Sequence, residues 1–290
     1  MVQLILDKKA DLGEGSIWHP EEKVLYWVDI NKPSVYRYDP ATGREREYPA
    51  TAKCSTLAPC RQGGLLVAQQ NGIHHLDTGT GMFKRLTDPL TDPDIRYNDG
   101  KCDPGGRFWV GTIDMHGRPE RAALYRFDQD GSLHEMLRPV TNSNGIVWTA
   151  DKRTMYYIDT PTHHVFAFDY DNATGNISNR RIAVTVPNEM GSPDGMTIDA
   201  SGSLWVALWG GGAVTCWDPV KGKLLQKITV PAPNISSCAF GGEKFDTLYI
   251  TSAREHMTPQ QIAEHPQSGS LFAVKPGVIG VPALFYEGAV

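Results

Sequence analysis

Almost nowhere in this chain do apolar residues recur at helical spacing. That absence argues against helix bundles and against folds that alternate strands with helices. No apolar run reaches 18 residues, so no segment reads as a membrane-spanning helix. The opening Met-Val-Gln-Leu-Ile-Leu-Asp-Lys-Lys has neither a basic leader nor an apolar stretch long enough for an export signal. The five cysteines, at 54, 60, 102, 216 and 238, form no CxxC pair and are odd in number. Reduced, mostly buried thiols in a cytoplasmic protein are therefore expected. Asn172-Ala-Thr174 and Asn234-Ile-Ser236 are then chance matches to a glycosylation pattern. Basic blocks are missing as well. With 28 Lys and Arg against 33 Asp and Glu the net charge is −5, which leaves no footprint for nucleic acid and no attraction to an anionic membrane. The nine histidines include no HExxH pair and keep no fixed spacing to cysteine. Low-complexity tracts, linkers and apolar surface stripes are absent too. One domain over residues 1–290 is expected, as a monomer or a weak homo-oligomer.

What the chain has in abundance is turn chemistry. Gly, Asp, Pro and Asn punctuate short runs of Val, Ile, Trp, Tyr and Leu, a pattern of all-β architecture. The strongest runs start at Leu25, Leu65, Phe108, Met155, Leu204 and Leu248, spaced by 40, 43, 47, 49 and 44 residues. A period of ~40–50 residues with several strands per repeat is the mark of a propeller blade. Hairpin signals precede most runs, as in Asp103-Pro-Gly-Gly106 and Ala200-Ser-Gly-Ser203, and a third apolar run follows each. Six repeats predict a six-bladed β-propeller with four-stranded blades. The spare segment Val2–Leu6 is expected to close the ring against the last blade near Pro282–Tyr286. Met257–His265 is expected to form a helical turn, because Thr258-Pro259 suits a helix start.

Each repeat also opens on a polar residue at the start of its first run. In order these are Glu14, Ser55, Asn98, Asn144, Asp194 and Ser236. The first strand of a propeller blade lies nearest the axis, so ring closure would gather these side chains at one mouth of the central channel. Glu14, Asn98, Asn144 and Asp194 offer oxygen ligands, and oxygen-only sets suit hard divalent cations. Any one Asn-Gly or Asp-Gly alone reads as an ordinary turn; recurrence ahead of the apolar strand is what favours a metal site. His74-His75 and His163-His164 are strand neighbours pointing to opposite faces, so neither pair shares a metal easily.

Several stretches resemble the gluconolactonase/regucalcin (senescence marker protein) family of six-bladed lactonases. They are Gly13-Glu-Gly-Ser-Ile-Trp18, Leu25-Tyr-Trp-Val-Asp-Ile30, Arg96-Tyr-Asn-Asp-Gly-Lys101, Asp103-Pro-Gly-Gly-Arg-Phe-Trp-Val-Gly-Thr112, Ser143-Asn-Gly145, Pro193-Asp-Gly-Met196 and Leu204-Trp-Val-Ala207. They run in order along nearly the whole chain. Leu208-Trp-Gly-Gly211 and the ending from Phe240 to Arg254 look like the bacterial branch. The resemblance implies one divalent ion (Ca²⁺, Zn²⁺, Mn²⁺, Mg²⁺ or Fe²⁺) on Glu14, Asn144 and Asp194. It implies that Arg96 and Asn98 hold a sugar lactone. Where animal members place a substrate-binding glutamate, this chain has His116, with Asp114 nearby, which implies a different sugar preference.

The implied activity is metal-dependent hydrolysis of an aldonolactone to the aldonic acid, with Asp194 as general base. The alternatives are a phosphotriester hydrolase on the same ion and a non-catalytic calcium- or sugar-binding propeller, since the fold alone does not decide. Trp209, Tyr97 and Met115 are candidates either for an apolar wall or for blade packing. Arg254 is either at the channel mouth or a solvated loop charge. Asp99 is expected either to support the centre or to cap the turn, the first being preferred. Trp18, Trp27, Trp109 and Trp205 are expected in the core.

Overall fold

The computed structural model describes residues 1–87 and 90–290. These form six four-stranded antiparallel sheets. The innermost strands are Gly13–His19, Cys54–Pro59, Ile95–Cys102, Ser143–Trp148, Ser192–Ile198 and Asn234–Gly241, in blades 1 to 6. Each touches the next, and the sixth touches the first, so the sheets close into a ring. This is the six-bladed propeller that the repeat predicts.

Burial follows distance from the axis. The inner strand Gly13–His19 and its neighbour Val24–Asp29 are buried at every position, whereas the outermost strand of blade 1, Arg44–Pro49, is exposed except at Tyr48. Central strands have both faces covered by neighbouring blades, which explains their continuous Val, Ile, Leu and aromatic composition. Trp18, Trp27, Trp109 and Trp205 are all buried in this packing, and all five cysteines are free and buried. Among the described residues no helix is long and apolar enough to cross a membrane.

The turn signals have a concrete role. Asp103 accepts hydrogen bonds from Gly105 N at 2.9 Å and from Trp109 Nε1 at 2.8 Å. Asp199 does the same with Ser201 N at 2.9 Å and Trp205 Nε1 at 2.9 Å. One aspartate thus closes the hairpin and fixes the indole of the following strand.

Closure differs from expectation. Gln3–Leu6 is itself the fourth strand of blade 6, pairing antiparallel with Leu271–Val274 through Gln3↔Ala273 and Leu4↔Phe272. It does not meet Pro282–Tyr286. That tail crosses the end of the channel opposite the polar ring. There Tyr286 N donates to Pro59 O at 2.8 Å, and Tyr286 stacks on Phe127 with centroids 5.4 Å apart. The reason is packing: Leu271–Val274 is buried at all four positions, whereas the tail carries Pro282, which has no N–H for a ladder, and it seats Phe285 and Tyr286 against inner strands. The helical turn forms at Pro259–Glu264, with Thr258 and Gln261 in a capping box.

Candidate active site

All six inner strands carry one extra residue against their partners, at the same place. The register shifts fall between Glu14 and Ile17, Cys54 and Thr56, Tyr97 and Gly100, Ser143 and Ile146, Pro193 and Met196, and Ile235 and Ser237. Each is a β-bulge, which bends its strand and re-aims a side chain. The polar ring read from the sequence is therefore a ring of bulges and not of turns. The glycines follow from crowding. A Cβ on Gly145 would lie 2.5 Å from Cβ of Met196, and one on Gly195 would lie 2.7 Å from the Ser236 carbonyl, so only glycine lets adjacent inner strands approach this closely.

Two aspartates hold the approach to the ring. Asp29 accepts N–H groups from Asp11 at 2.9 Å and Leu12 at 3.1 Å, just ahead of Glu14. Asp159 accepts Asn142 N at 2.9 Å, just ahead of Asn144. Both end the second strand of their blade, a position whose role the sequence left unread.

The bulges of blades 1, 3, 4 and 5 open onto one cavity of about 250 Å³, lined by Glu14, Arg96, Asn98, Asn144 and Asp194 together with Leu12, Ile30, Ile113, Asn142, Thr160, Ser192, Trp209, Glu255 and His256. Ser55 and Ser236 of the ring are buried outside that lining, while Glu14, Arg96, Asn98, Asn144 and Asp194, the expected metal and substrate residues other than His116, meet. His116 is not among the lining residues: its side chain is 63% exposed, with Nε2 3.2 Å from Asp94 Oδ1. Its neighbour Asp114 is engaged by Arg118, whose guanidinium holds that carboxylate low, at about 2. Trp209 does line the cavity. Tyr97 is buried in the core between blades 2 and 3, and Met115 is partly exposed. Arg254 turns away, donating to Ser268 O at 2.8 Å and Pro266 O at 3.2 Å.

The hydrogen bonds in the ring are directional. Arg96 Nη1 donates to Asn98 Oδ1 at 2.7 Å, which leaves Asn98 Nδ2 to donate to Ser143 O at 2.8 Å and to Asn144 Oδ1 at 3.0 Å. Asn144 Nδ2 in turn donates to Thr160 Oγ1 at 2.7 Å, and that hydroxyl donates to Pro193 O at 2.8 Å. Thr160 accordingly fixes which end of the Asn144 amide is oxygen.

The carboxylates are poorly served. Glu14 accepts only the N–H of Gly15 at 2.9 Å, and Asp194 accepts no hydrogen bond among the described residues. Burial pushes Glu14 up to about 8, with the nearby Asp99 carboxylate adding to the effect. Burial, then the charges of Glu14 and Asp99, push Asp194 well above the usual carboxylate range. Asp99 is itself buried, with Oδ1 on Gly100 N at 2.7 Å and Oδ2 unpartnered. No three His, Cys, Asp or Glu side chains converge on a metal position among the described residues, so an ion here would draw on the amide oxygen of Asn144. Two buried carboxylates with a single donor between them among the described residues, beside an amide oxygen of fixed orientation, fit a hard divalent cation.

Comparison with known proteins shows the family. Residues 12–254 match the family described as SMP-30/Gluconolactonase/LRE-like region. The chain is 38% identical to the Bacillus subtilis protein YvrE, whose name proposes a sugar lactone lactonase, over 93% of this chain and 92% of that one. It is 37% identical to regucalcin of Danio rerio over 99% and 98% of the two chains. The crystal structure of a calcium-binding regucalcin from Agrobacterium tumefaciens superposes with a TM-score of 0.95 at 27% identity, over 99% of this chain and 97% of that one.

Proposed function

The chain belongs to the SMP-30/gluconolactonase/LRE-like family, and from that premise we propose that it hydrolyses a sugar lactone to the aldonic acid with the help of one divalent ion. The observation that carries the reading is the buried pair Glu14 and Asp194, with only Gly15 N as a donor among the described residues, facing the same cavity as the Asn144 amide and the Arg96–Asn98 pair. The Agrobacterium relative is described as calcium-binding, which supports a divalent ion here.

A lactone is an activated ester, so its hydrolysis needs a polarised carbonyl, an attacking water and a place for the proton. Glu14, Asn144 and Asp194 would hold the ion, which when bound supplies Lewis-acid polarisation of the carbonyl oxygen. Asp194 accepts the proton of the attacking water; its raised affinity for protons suits a base, although a cation beside it lowers that affinity. As the water oxygen bonds to the carbonyl carbon, the ring C–O bond breaks, and the ring oxygen leaves as a hydroxyl once protonated. The product is a hydroxy acid that releases one proton. Arg96 orients the lactone through its guanidinium donors, and Asn98, whose oxygen accepts from Arg96 Nη1, holds that guanidinium in place. Leu12, Ile30, Ile113 and Trp209 give the cavity an apolar wall that suits the C–H face of a sugar ring.

The test is proton release from a panel of γ- and δ-aldonolactones, using chelated protein refilled with single divalent ions. Metal-dependent turnover above the spontaneous rate supports the reading. Hydrolysis of phosphotriesters alone would favour the other hydrolase, and binding without turnover would favour a calcium- or sugar-binding propeller.

A further inference from the structure

Glu255 is a cavity wall that the sequence pattern did not single out. It stands in the loop that leaves Thr247–Ala253, the second strand of blade 6, and it lines the same cavity as Glu14, Arg96, Asn98, Asn144 and Asp194. One oxygen of its carboxylate is held. Oε1 accepts from Asn31 Nδ2 at 2.8 Å. Asn31 also donates to Asp11 Oδ2 at 2.8 Å and accepts from Lys53 Nζ at 2.8 Å. The backbone is fixed as well, with Glu255 N donating to Asp11 O at 2.7 Å and Glu255 O accepting from Asn234 Nδ2 at 3.3 Å. Asn31 thus holds the side chain directly while Asp11 and Asn234 fix its backbone, and the side chain is only 25% exposed.

The second oxygen has no such partner among the described residues. Oε2 lies 3.7 Å from Nε2 of His256, beyond hydrogen-bond range, and that imidazole is itself 84% exposed at the mouth. A preorganised carboxylate with spare acceptor capacity, facing a cavity in which Asn98 and Asn144 are engaged in the ring and Glu14 and Asp194 would hold the ion, is suited to donors that arrive with a ligand. Hydroxyl groups are such donors, and a vicinal pair can share one carboxylate. An anionic group is the opposite case, because at this end of the cavity it would face the Glu255 carboxylate directly. A site built to pair with hydroxyls penalises a ligand that lacks them, since its own buried groups are then left unpaired.

We propose that Glu255 is a specificity-determining residue that binds the hydroxyl groups of the substrate and excludes lactones bearing a carboxylate. This rests on the lactonase reading above and deepens it: the substrate class is a neutral polyhydroxylated lactone, read from the blade 6 side of the cavity. His116, outside the cavity lining, has no part in that recognition.

The test compares wild type and Glu255→Gln, both metal-loaded, on three lactones: D-glucono-δ-lactone, unsubstituted δ-valerolactone, and D-glucaro-1,4-lactone with its free carboxylate. Losing a charged hydrogen-bond acceptor should lower the kcat/KM ratio of gluconolactone to valerolactone by about tenfold or more, chiefly through KM. The handicap of the glucarolactone relative to gluconolactone should shrink in the same variant, a relative gain that a misfolded protein would not show. Unchanged ratios for all three would overturn the proposal. If wild type hydrolyses no lactone with any metal, the lactonase reading fails by itself, and calorimetry with glucono-δ-lactam decides this inference separately. Lactam binding to wild type that Glu255→Gln loses supports it; equal binding by both, or none by either, overturns it.

Discussion

The side-chain nitrogen of Asn98 lies 3.0 Å from Oδ1 of Asn144, joining blade 3 to blade 4 at the wall of the cavity. The contact orients an oxygen that a cation would need, so Asn98 acts on the centre whether or not it also touches substrate. Asn98→Ala should weaken divalent-ion affinity about tenfold to a hundredfold, the usual range for groups that orient a metal ligand. Thr160→Val, which removes the hydroxyl fixing the Asn144 amide, should act in the same direction. Calorimetric titration of Mn²⁺ into chelated protein measures both, and unchanged affinity in both variants would contradict the assignment.

The two raised carboxylates make a pH prediction with a definite sign. Glu14 titrates higher in the folded protein, about 8, than in the unfolded chain, and Asp194 is shifted the same way. The folded, ion-free state therefore holds protons that the unfolded chain gives up. The stability this contributes is full below the ordinary carboxylate range and is lost as pH rises through the folded value. Chelated protein should lose thermal stability between about pH 5 and pH 8, and Glu14→Gln should flatten the slope. Added divalent ion should reverse the loss, binding more tightly as pH rises and releasing protons. Melting curves with and without chelator across that range test it. A chelated protein that grows more stable toward pH 8 would contradict it.

Much of this was legible from the sequence because both the fold and the ring repeat. Six runs with a common period imply six blades, and in blades 1, 3, 4 and 5 the polar residue opening the first strand lines the cavity. Three features were hidden. The closing strand was misplaced because Gln3–Leu6 is short and polar-flanked, and its partner, Leu271–Val274, is recognised by burial on both faces. The bulges were hidden because an extra residue in one strand is visible only against its partner's register. Glu255 was hidden because it comes from a loop outside the repeat and takes its meaning from Asn31 and Asp11 in another blade. His116 illustrates the converse: counting along a motif cannot foresee that Asp94 draws the side chain away.

The crowding of the bulges gives a stability prediction at a residue with no chemistry of its own. A methyl group at Gly195 would sit 2.7 Å from Ser236 O and 2.9 Å from Ser237 Cα, both backbone atoms. Gly195→Ala should cost about 2 kcal/mol by overpacking and lower Tm by roughly 5 °C. Gly202→Ala is the control, since a Cβ there meets nothing within 4 Å and only its positive φ is unfavourable. Equal and small effects for both would contradict the tight approach of blades 5 and 6.

Asp194 separates function from folding. As a buried carboxylate without donors it destabilises the ion-free protein at neutral pH, so Asp194→Asn should raise the melting temperature of chelated protein while abolishing hydrolysis. Loss of both stability and activity would point instead to a structural role.

The most direct measurement of the central claim is a titration of one divalent ion into chelated protein while proton release from an aldonolactone is followed. Activity should rise linearly and reach a plateau at one ion per chain in wild type, and stay at the spontaneous rate throughout for Asp194→Asn. Full lactone hydrolysis in the presence of chelator, or an undiminished plateau in Asp194→Asn, would contradict a single catalytic ion held by Glu14, Asn144 and Asp194.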